Sequence, residues 1–122
     1  MTTVLVVDDN PAVREIYGLL LDAMGYTATA APGGRECLEL LKTSRPDVIL
    51  LDILMEPMDG WETLLAIKAD PGTQEIPVLM ITGKELLAQE RQKFGMHYAD
   101  YVMKPVRAKE LQERIERVLH PR

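Results

Sequence analysis

Short, unbroken apolar runs recur along the chain, separated by segments whose apolar positions follow a helical period. Four runs stand out: Val4-Leu5-Val6-Val7, Val48-Ile49-Leu50-Leu51, Val78-Leu79-Met80-Ile81 and Tyr101-Val102-Met103. Runs of this length and continuity predict strands buried on both faces, as in a parallel sheet. After the first run, Val13, Ile16, Tyr17, Leu20 and Met24 recur at three- and four-residue steps. Asn10 can cap that helix, Pro11 fits its first position and Gly25 can end it. A further strand over about Tyr26 to Ala30 is weak in β propensity, and Pro32-Gly33-Gly34 then turns the chain into a helix carrying Cys37, Leu38 and Leu41. A loop with Pro57, Asp59 and Gly60 leads to a helix through Trp61, Leu64, Leu65 and Lys68, which Asp70-Pro71-Gly72 stops. The next helix, about Glu85 to Phe94, has few apolar positions and is expected to be the loosest. The last carries Leu111, Ile115, Val118 and Leu119, with Glu110 and Arg114, and Glu113 and Arg117, at four-residue spacing.

Strand and helix therefore alternate from start to finish. Strand-helix-strand crossovers are almost always right-handed, so five such units predict a doubly wound five-stranded parallel sheet with helices on both faces, in the flavodoxin-like order 2-1-3-4-5. That order makes the first and third strands neighbours, about 4.8 Å apart. Its chemical consequence lies in the residues that end each run: Asp8-Asp9, Asp52, Thr82 and Lys104. A parallel sheet lines up the carboxyl ends of its strands along one edge, where open α/β folds bind ligands. Three carboxylates, a hydroxyl and an ammonium should meet there.

Size and charge narrow the alternatives. The 122 residues, 47% hydrophobic and 27% charged, suit one domain spanning 1–122, with no output domain expected. A net charge of -5 excludes the basic stripe that a nucleic-acid binder needs, so no nucleic-acid partner is expected. One cysteine, Cys37, cannot form an internal disulfide, and no stretch reads as a signal peptide or membrane span. The expected compartment is the cytoplasm, with no membrane partner.

Three carboxylates gathered at about 4 Å repel by about 4 kcal/mol per pair at an effective dielectric of 20, which poises the site to bind a cation. Magnesium (Mg2+) suits oxygen ligands from one or two carboxylates and readily shares a phosphate, whereas the soft ligands favoured by zinc or copper are missing from this edge. His97 and His120 lie far from the strand ends in sequence and read as surface residues. Asp52, alone at the end of a central strand, is the best nucleophile toward a phosphoryl group, and Asp8-Asp9 the pair suited to hold the metal. Lys104 supplies fixed positive charge, Thr82 can donate to a phosphoryl oxygen, and the product would be an aspartyl phosphate. Taken singly, each aspartate would more commonly cap a loop or helix, Tyr101 would be a packing aromatic, and Trp61 part of a packed face or partner surface. Only convergence favours chemistry.

Val7-Asp8-Asp9-Asn10, Leu51-Asp52-Ile53 with Met58-Asp59-Gly60, Ile81-Thr82-Gly83, and Tyr101-Val102-Met103-Lys104-Pro105 together resemble the receiver domain of bacterial and archaeal response regulators, the stand-alone chemotaxis-regulator type included. The resemblance implies Asp52 as phosphoacceptor, Asp9 as direct magnesium ligand, Asp8 as a ligand through water and the Leu54 carbonyl as a further ligand. It implies that Thr82 and Lys104 contact the phosphoryl group, that Tyr101 swings in behind Thr82, and that the Lys104-Pro105 bond is cis. It also implies a sensor histidine kinase or phosphotransfer protein as donor, a separate downstream effector protein, self-phosphorylation and autodephosphorylation as the sole reactions, and compatibility with a homodimer. Two features depart from the family pattern: Glu56 stands where proline is usual, with the proline shifted to Pro57, and the positions flanking the phosphoryl group hold apolar Leu54 and basic Lys84. Leu54 is expected to obstruct water and prolong the phosphorylated state.

Three alternatives compete with a phosphorylated switch. A receiver-like interaction module that is not phosphorylated would fit the altered loop, but the site residues are all retained. An aspartate-dependent phosphohydrolase needs a second carboxylate where Leu54 stands. A flavodoxin needs a Ser/Thr-rich phosphate loop after the first strand, which is missing.

Overall fold

The computed structural model describes residues 1–121 and alternates strand and helix throughout. The elements are β1 (Thr3–Val7), α1 (Pro11–Ala23), β2 (Thr27–Ala31), α2 (Gly34–Leu40), β3 (Val48–Asp52), α3 (Gly60–Ala69), β4 (Val78–Thr82), α4 (Ala88–Phe94), β5 (Asp100–Met103) and α5 (Ala108–Leu119). All strand pairs are parallel, in the order β2-β1-β3-β4-β5. This is the expected doubly wound, flavodoxin-like sheet.

Strand pleating divides the core in two. Leu5, Val7, Ile49, Leu51 and Met80 face one side, where Cys37 of α2, Leu64 and Ile67 of α3 and Phe94 of α4 cover them. Val4, Val6, Leu50, Leu79 and Ile81 face the other, under Tyr17 and Leu21 of α1 and Leu111 and Ile115 of α5. Each fully buried Leu or Ile contributes about 1.5–3 kcal/mol against the entropy of ordering the chain. Both faces of the three central strands are therefore dry, which accounts for their unbroken apolar runs.

The registry then places the chemistry. Val7 pairs with Leu51, Asp52 with Ile81, and Thr82 with Met103. Asp8-Asp9, Asp52, Thr82 and Lys104 thus emerge at neighbouring strand tips. Two helix starts are pinned beside them: the Asn10 side chain accepts from the N–H groups of Ala12 and Val13, and Asp59 and Glu62 form a reciprocal capping box on α3. Gly60 is required at the second start, because a Cβ there would collide with the Asp52 carbonyl.

Several local expectations need correction. β2 begins one residue later than the propensity suggested, and as an edge strand it buries only Ala31. α4 spans Ala88–Phe94 rather than starting near Glu85, because Leu86 is already committed to the core as part of the preceding loop. Ile16 is 54% exposed although it shares the period of α1. Arg114 pairs with Asp100 at 2.8 Å and reaches the Tyr101 carbonyl at 3.3 Å, a tertiary pairing in place of the expected helical partner Glu110. The Lys104-Pro105 bond is cis as expected, and Glu56-Pro57 is cis as well. No helix among the described residues is long and apolar enough to cross a membrane.

Candidate functional site

Asp8, Asp9 and Asp52 each offer a carboxylate oxygen, and these oxygens lie within 4.8 Å of one another. Asp8 and Asp52 are 3% and 6% exposed, whereas Asp9 faces solvent. Two buried negative charges this close need compensation. Lys104 provides it: its Nζ stands 2.9 Å from Asp8 Oδ2 and 3.7 Å from Asp52 Oδ1. The ammonium thus sits closer to Asp8 than to the acid expected to react. Asp8 Oδ1 also accepts the Asn10 N–H at 2.9 Å, and its main-chain carbonyl accepts from Arg14 Nη1 at 2.8 Å.

Protonation equilibria reflect this crowding. Burial pushes the Asp52 carboxyl above the usual carboxylate range and Asp8 adds to the effect, against Lys104 and the N–H groups of Ile53 and Leu54. For Lys104, burial acts to lower the ammonium's pKa, but the hydrogen bond to Asp8 and the charge of Asp52 outweigh it and hold the group above its ordinary value. The bare site therefore favours a charged amine and resists ionisation of Asp52. A hard divalent cation would relieve that strain, and the donor set fits one: every available side-chain ligand atom is a carboxylate oxygen.

Thr82 is fully buried at the tip of β4, and its Oγ1 accepts the Lys84 N–H at 3.1 Å. A groove beside the carboxylates is lined by Asp9, Leu54, Glu56, Lys84 and Glu90, among others, with Leu54 62% exposed at its rim. Tyr101 on β5 is half-buried; its ring meets Tyr98 edge-on at 6.1 Å and lies under the Arg91 guanidinium at 5.6 Å. Among the described residues no hydrogen bond joins Tyr101 to Thr82. The structure thus gathers Asp8, Asp9, Asp52 and Lys104 directly, sets Thr82 and Leu54 beside them, and holds Tyr101 in a neighbouring aromatic cluster.

Three neighbours escaped the reading of the sequence. Arg14 lies one helical turn beyond Asn10, a spacing that could have suggested its reach back to the Asp8 carbonyl. Tyr17 is buried under the sheet and shares an apolar groove with Lys104 and Pro105. Glu90 binds Lys84 at 2.7 Å and also the Trp61 indole, 29 positions away in sequence, a pairing without any local signal.

Residues 4–116 match the family model described as the response regulator receiver domain. Among curated relatives, the heme response regulator HssR of Staphylococcus aureus is 36% identical over 119 residues, covering 98% of this chain and 52% of HssR. The chain spans about half the length of the curated relatives it matches, 44% of one from Guillardia theta. Among solved structures, the N-terminal domain of a response regulator receiver protein from Methanoculleus marisnigri JR1 is 48% identical, with a TM-score of 0.83 over 100% of this chain and 99% of that one. The receiver domain of the sensor histidine kinase PA1611 from Pseudomonas aeruginosa PAO1 is 26% identical, with a TM-score of 0.87 over 97% of both chains; that structure has a magnesium ion coordinated in its active site cleft.

Proposed function

This chain belongs to the response regulator receiver domain family, whose members are phosphoacceptor switches of two-component signalling, and on that premise we propose that Asp52 is its phosphoacceptor. The observation that carries the assignment is the meeting of Asp8, Asp9 and Asp52 within 4.8 Å, with the Lys104 ammonium 3.7 Å from Asp52. Asp52 is the carboxylate at the end of the central strand, while Asp8 is already engaged by Lys104 and Asn10.

In the transfer, an Asp52 oxygen forms a bond to phosphorus as the bond from phosphorus to the donor breaks. The leaving group takes the electron pair: an imidazole nitrogen if the donor is a phosphohistidine, a carboxylate if it is acetyl phosphate. Lys104 moves its hydrogen bonds toward the added phosphoryl oxygens, and the Thr82 hydroxyl exchanges its role as acceptor of the Lys84 N–H for that of donor to the phosphoryl group. Asp8, Asp9, Asp52 and the Leu54 carbonyl would hold magnesium, which when bound supplies neutralising charge for the transferring phosphoryl group. In hydrolysis a water oxygen forms a bond to phosphorus as the bond to Asp52 breaks; the Asp52 carboxylate takes the electron pair, inorganic phosphate leaves and the water's proton passes to solvent. Leu54, exposed at the rim, covers that approach. Tyr101 and α4 are the elements whose rearrangement would present a changed surface to an effector protein.

Incubation with acetyl phosphate and magnesium, read by intact mass, tests this reading. It requires the gain of one phosphoryl group and its loss in Asp52→Ala; a wild-type chain that gains none would leave an interaction module as the better account.

A further inference from the structure

Glu90, in the first turn of α4, carries more interactions than any role in capping requires. Its carboxylate accepts both contacts from Lys84 Nζ, each at 2.7 Å, the Leu87 N–H at 2.9 Å and the Trp61 indole Nε1–H at 2.9 Å. Its side chain is only 17% exposed. Burial alone would push the Glu90 carboxyl up, but Lys84, the Leu87 N–H and the indole together hold it below the usual range, so it stays ionised. One carboxylate thereby ties the loop after β4, the start of α4 and the start of α3.

Both ends of this connection matter. Lys84 donates its own N–H to Thr82 Oγ1 and lines the groove it shares with Asp9 and Leu54. At the far end, Trp61 stacks on Phe94 with ring centroids 4.3 Å apart and planes 5° from parallel. Phe94 is the one buried residue of α4. The aromatic stack and the Glu90 carboxylate thus both tie this sparse helix to α3, beside the contact of Arg91 with Tyr101. Neutralised by Glu90, the Lys84 ammonium adds little net positive potential to the groove through which an anionic donor must reach Asp52.

We infer that Glu90 is a positioning residue for phosphoryl transfer: it restrains Lys84 in the resting state, limiting attraction of the anionic donor, and couples departure of Lys84 from its carboxylate to Trp61 and α4. The inference rests on Asp52 being the phosphoacceptor. An incoming phosphoryl group competes with Glu90 for Lys84, and Thr82, once it turns to that group, gives up its bond from the Lys84 N–H. Glu90 then loses its charged partner, and the indole and the first turn of α4 lose the anchor that fixed them.

Glu90→Gln removes the charge that holds Lys84 and leaves one acceptor oxygen where the carboxylate offered two, one to the Leu87 N–H and one to the indole. With acetyl phosphate and magnesium, it should lower the half-saturating donor concentration by about 3- to 10-fold while leaving the maximal rate within about twofold. Lys84→Met leaves the Glu90 charge unopposed and should raise the half-saturating concentration, and the double variant, which removes both charges, should return to within about twofold of wild type. No effect of Glu90→Gln, or a double variant that keeps the fall seen in Glu90→Gln, overturns the inference. A second arm needs no phosphorylation. The chain has one tryptophan, so its single indole N–H resonance reports the bond to Glu90, and it must shift in both Lys84→Met and Glu90→Gln; an unmoved resonance in either overturns the coupling. If the wild-type chain takes no phosphoryl group, the proposed function fails on the first arm and the second still decides the clasp. Should Glu90→Gln fail to fold, Lys84→Met decides both arms.

Discussion

Replacing Asp52 by Asn should stabilise the metal-free protein while removing its response to magnesium. Asp52 is 6% exposed and its charge is opposed by that of Asp8, with a carboxylate oxygen within 4.8 Å. At an effective dielectric of 20 that repulsion is about 3.5 kcal/mol or more. The Lys104 ammonium, 3.7 Å away, returns about 4.5 kcal/mol, but it is shared with Asp8, and burying the Asp52 charge costs several kcal/mol besides. The Asp52 carboxyl lies above its ordinary value of 3.8, which shows that the opposing effects win. In EDTA at neutral pH, Asp52→Asn should therefore gain on the order of 1–2 kcal/mol, or roughly 3–6 °C in Tm per kcal/mol for a domain of this size. The sign also sets a pH dependence. Just above pH 3.8 the folded state retains a proton on Asp52 that the unfolded chain has lost, so this residue's contribution to stability rises as pH falls through that window, and the Asn variant should lack that rise. Magnesium at a hundred times its dissociation constant should stabilise the wild type by about 2.7 kcal/mol, with most of this gain lost in the variant. Thermal melts with and without magnesium provide the assay. A variant that melts below wild type in EDTA, or that magnesium stabilises as strongly, would refute the reasoning.

Other outcomes hang on single positions. Burial pushes the Cys37 thiol up to about 12, so at pH 8 it should resist disulfide reagents in the native state and react only on unfolding; labelling at the rate of a free thiol would contradict the packing of α2. Leu54→Asn should shorten the phosphorylated lifetime by about 3-fold or more, on the order of 0.6 kcal/mol of barrier, as read by intact mass over time. An unchanged lifetime would remove Leu54 from the water's path. Gly60→Ala forces a methyl group against the Asp52 carbonyl and should cost about 2 kcal/mol or more in a thermal or denaturant melt; near-wild-type stability would mean that the loop after β3 yields easily.

The sheet was legible because its central strands are dry on both sides. Continuous runs such as Val48-Ile49-Leu50-Leu51 have few alternative meanings, and parallel connectivity then dictates which ends share an edge. Asp8, Asp9, Asp52 and Lys104 could be grouped for that reason alone. Their pairing could not: the preference of Lys104 for Asp8 over Asp52 depends on about an ångström of side-chain reach. The edge strand β2 was misjudged by a residue because exposed TATA-type sequence carries no burial signal. Long-range side-chain contacts were the least legible. Arg114 chose Asp100 over a helical neighbour, and Glu90 joined Trp61 across 29 positions, because tertiary proximity overrides local spacing.

The central claim is that Asp52 carries the phosphoryl group, and reductive trapping tests it most directly. Borohydride reduces an aspartyl phosphate to homoserine, so peptide mapping after treatment with acetyl phosphate, magnesium and borohydride locates the modified acid. The account predicts homoserine at position 52. Homoserine at position 8 or 9, or an unmodified chain, would contradict it.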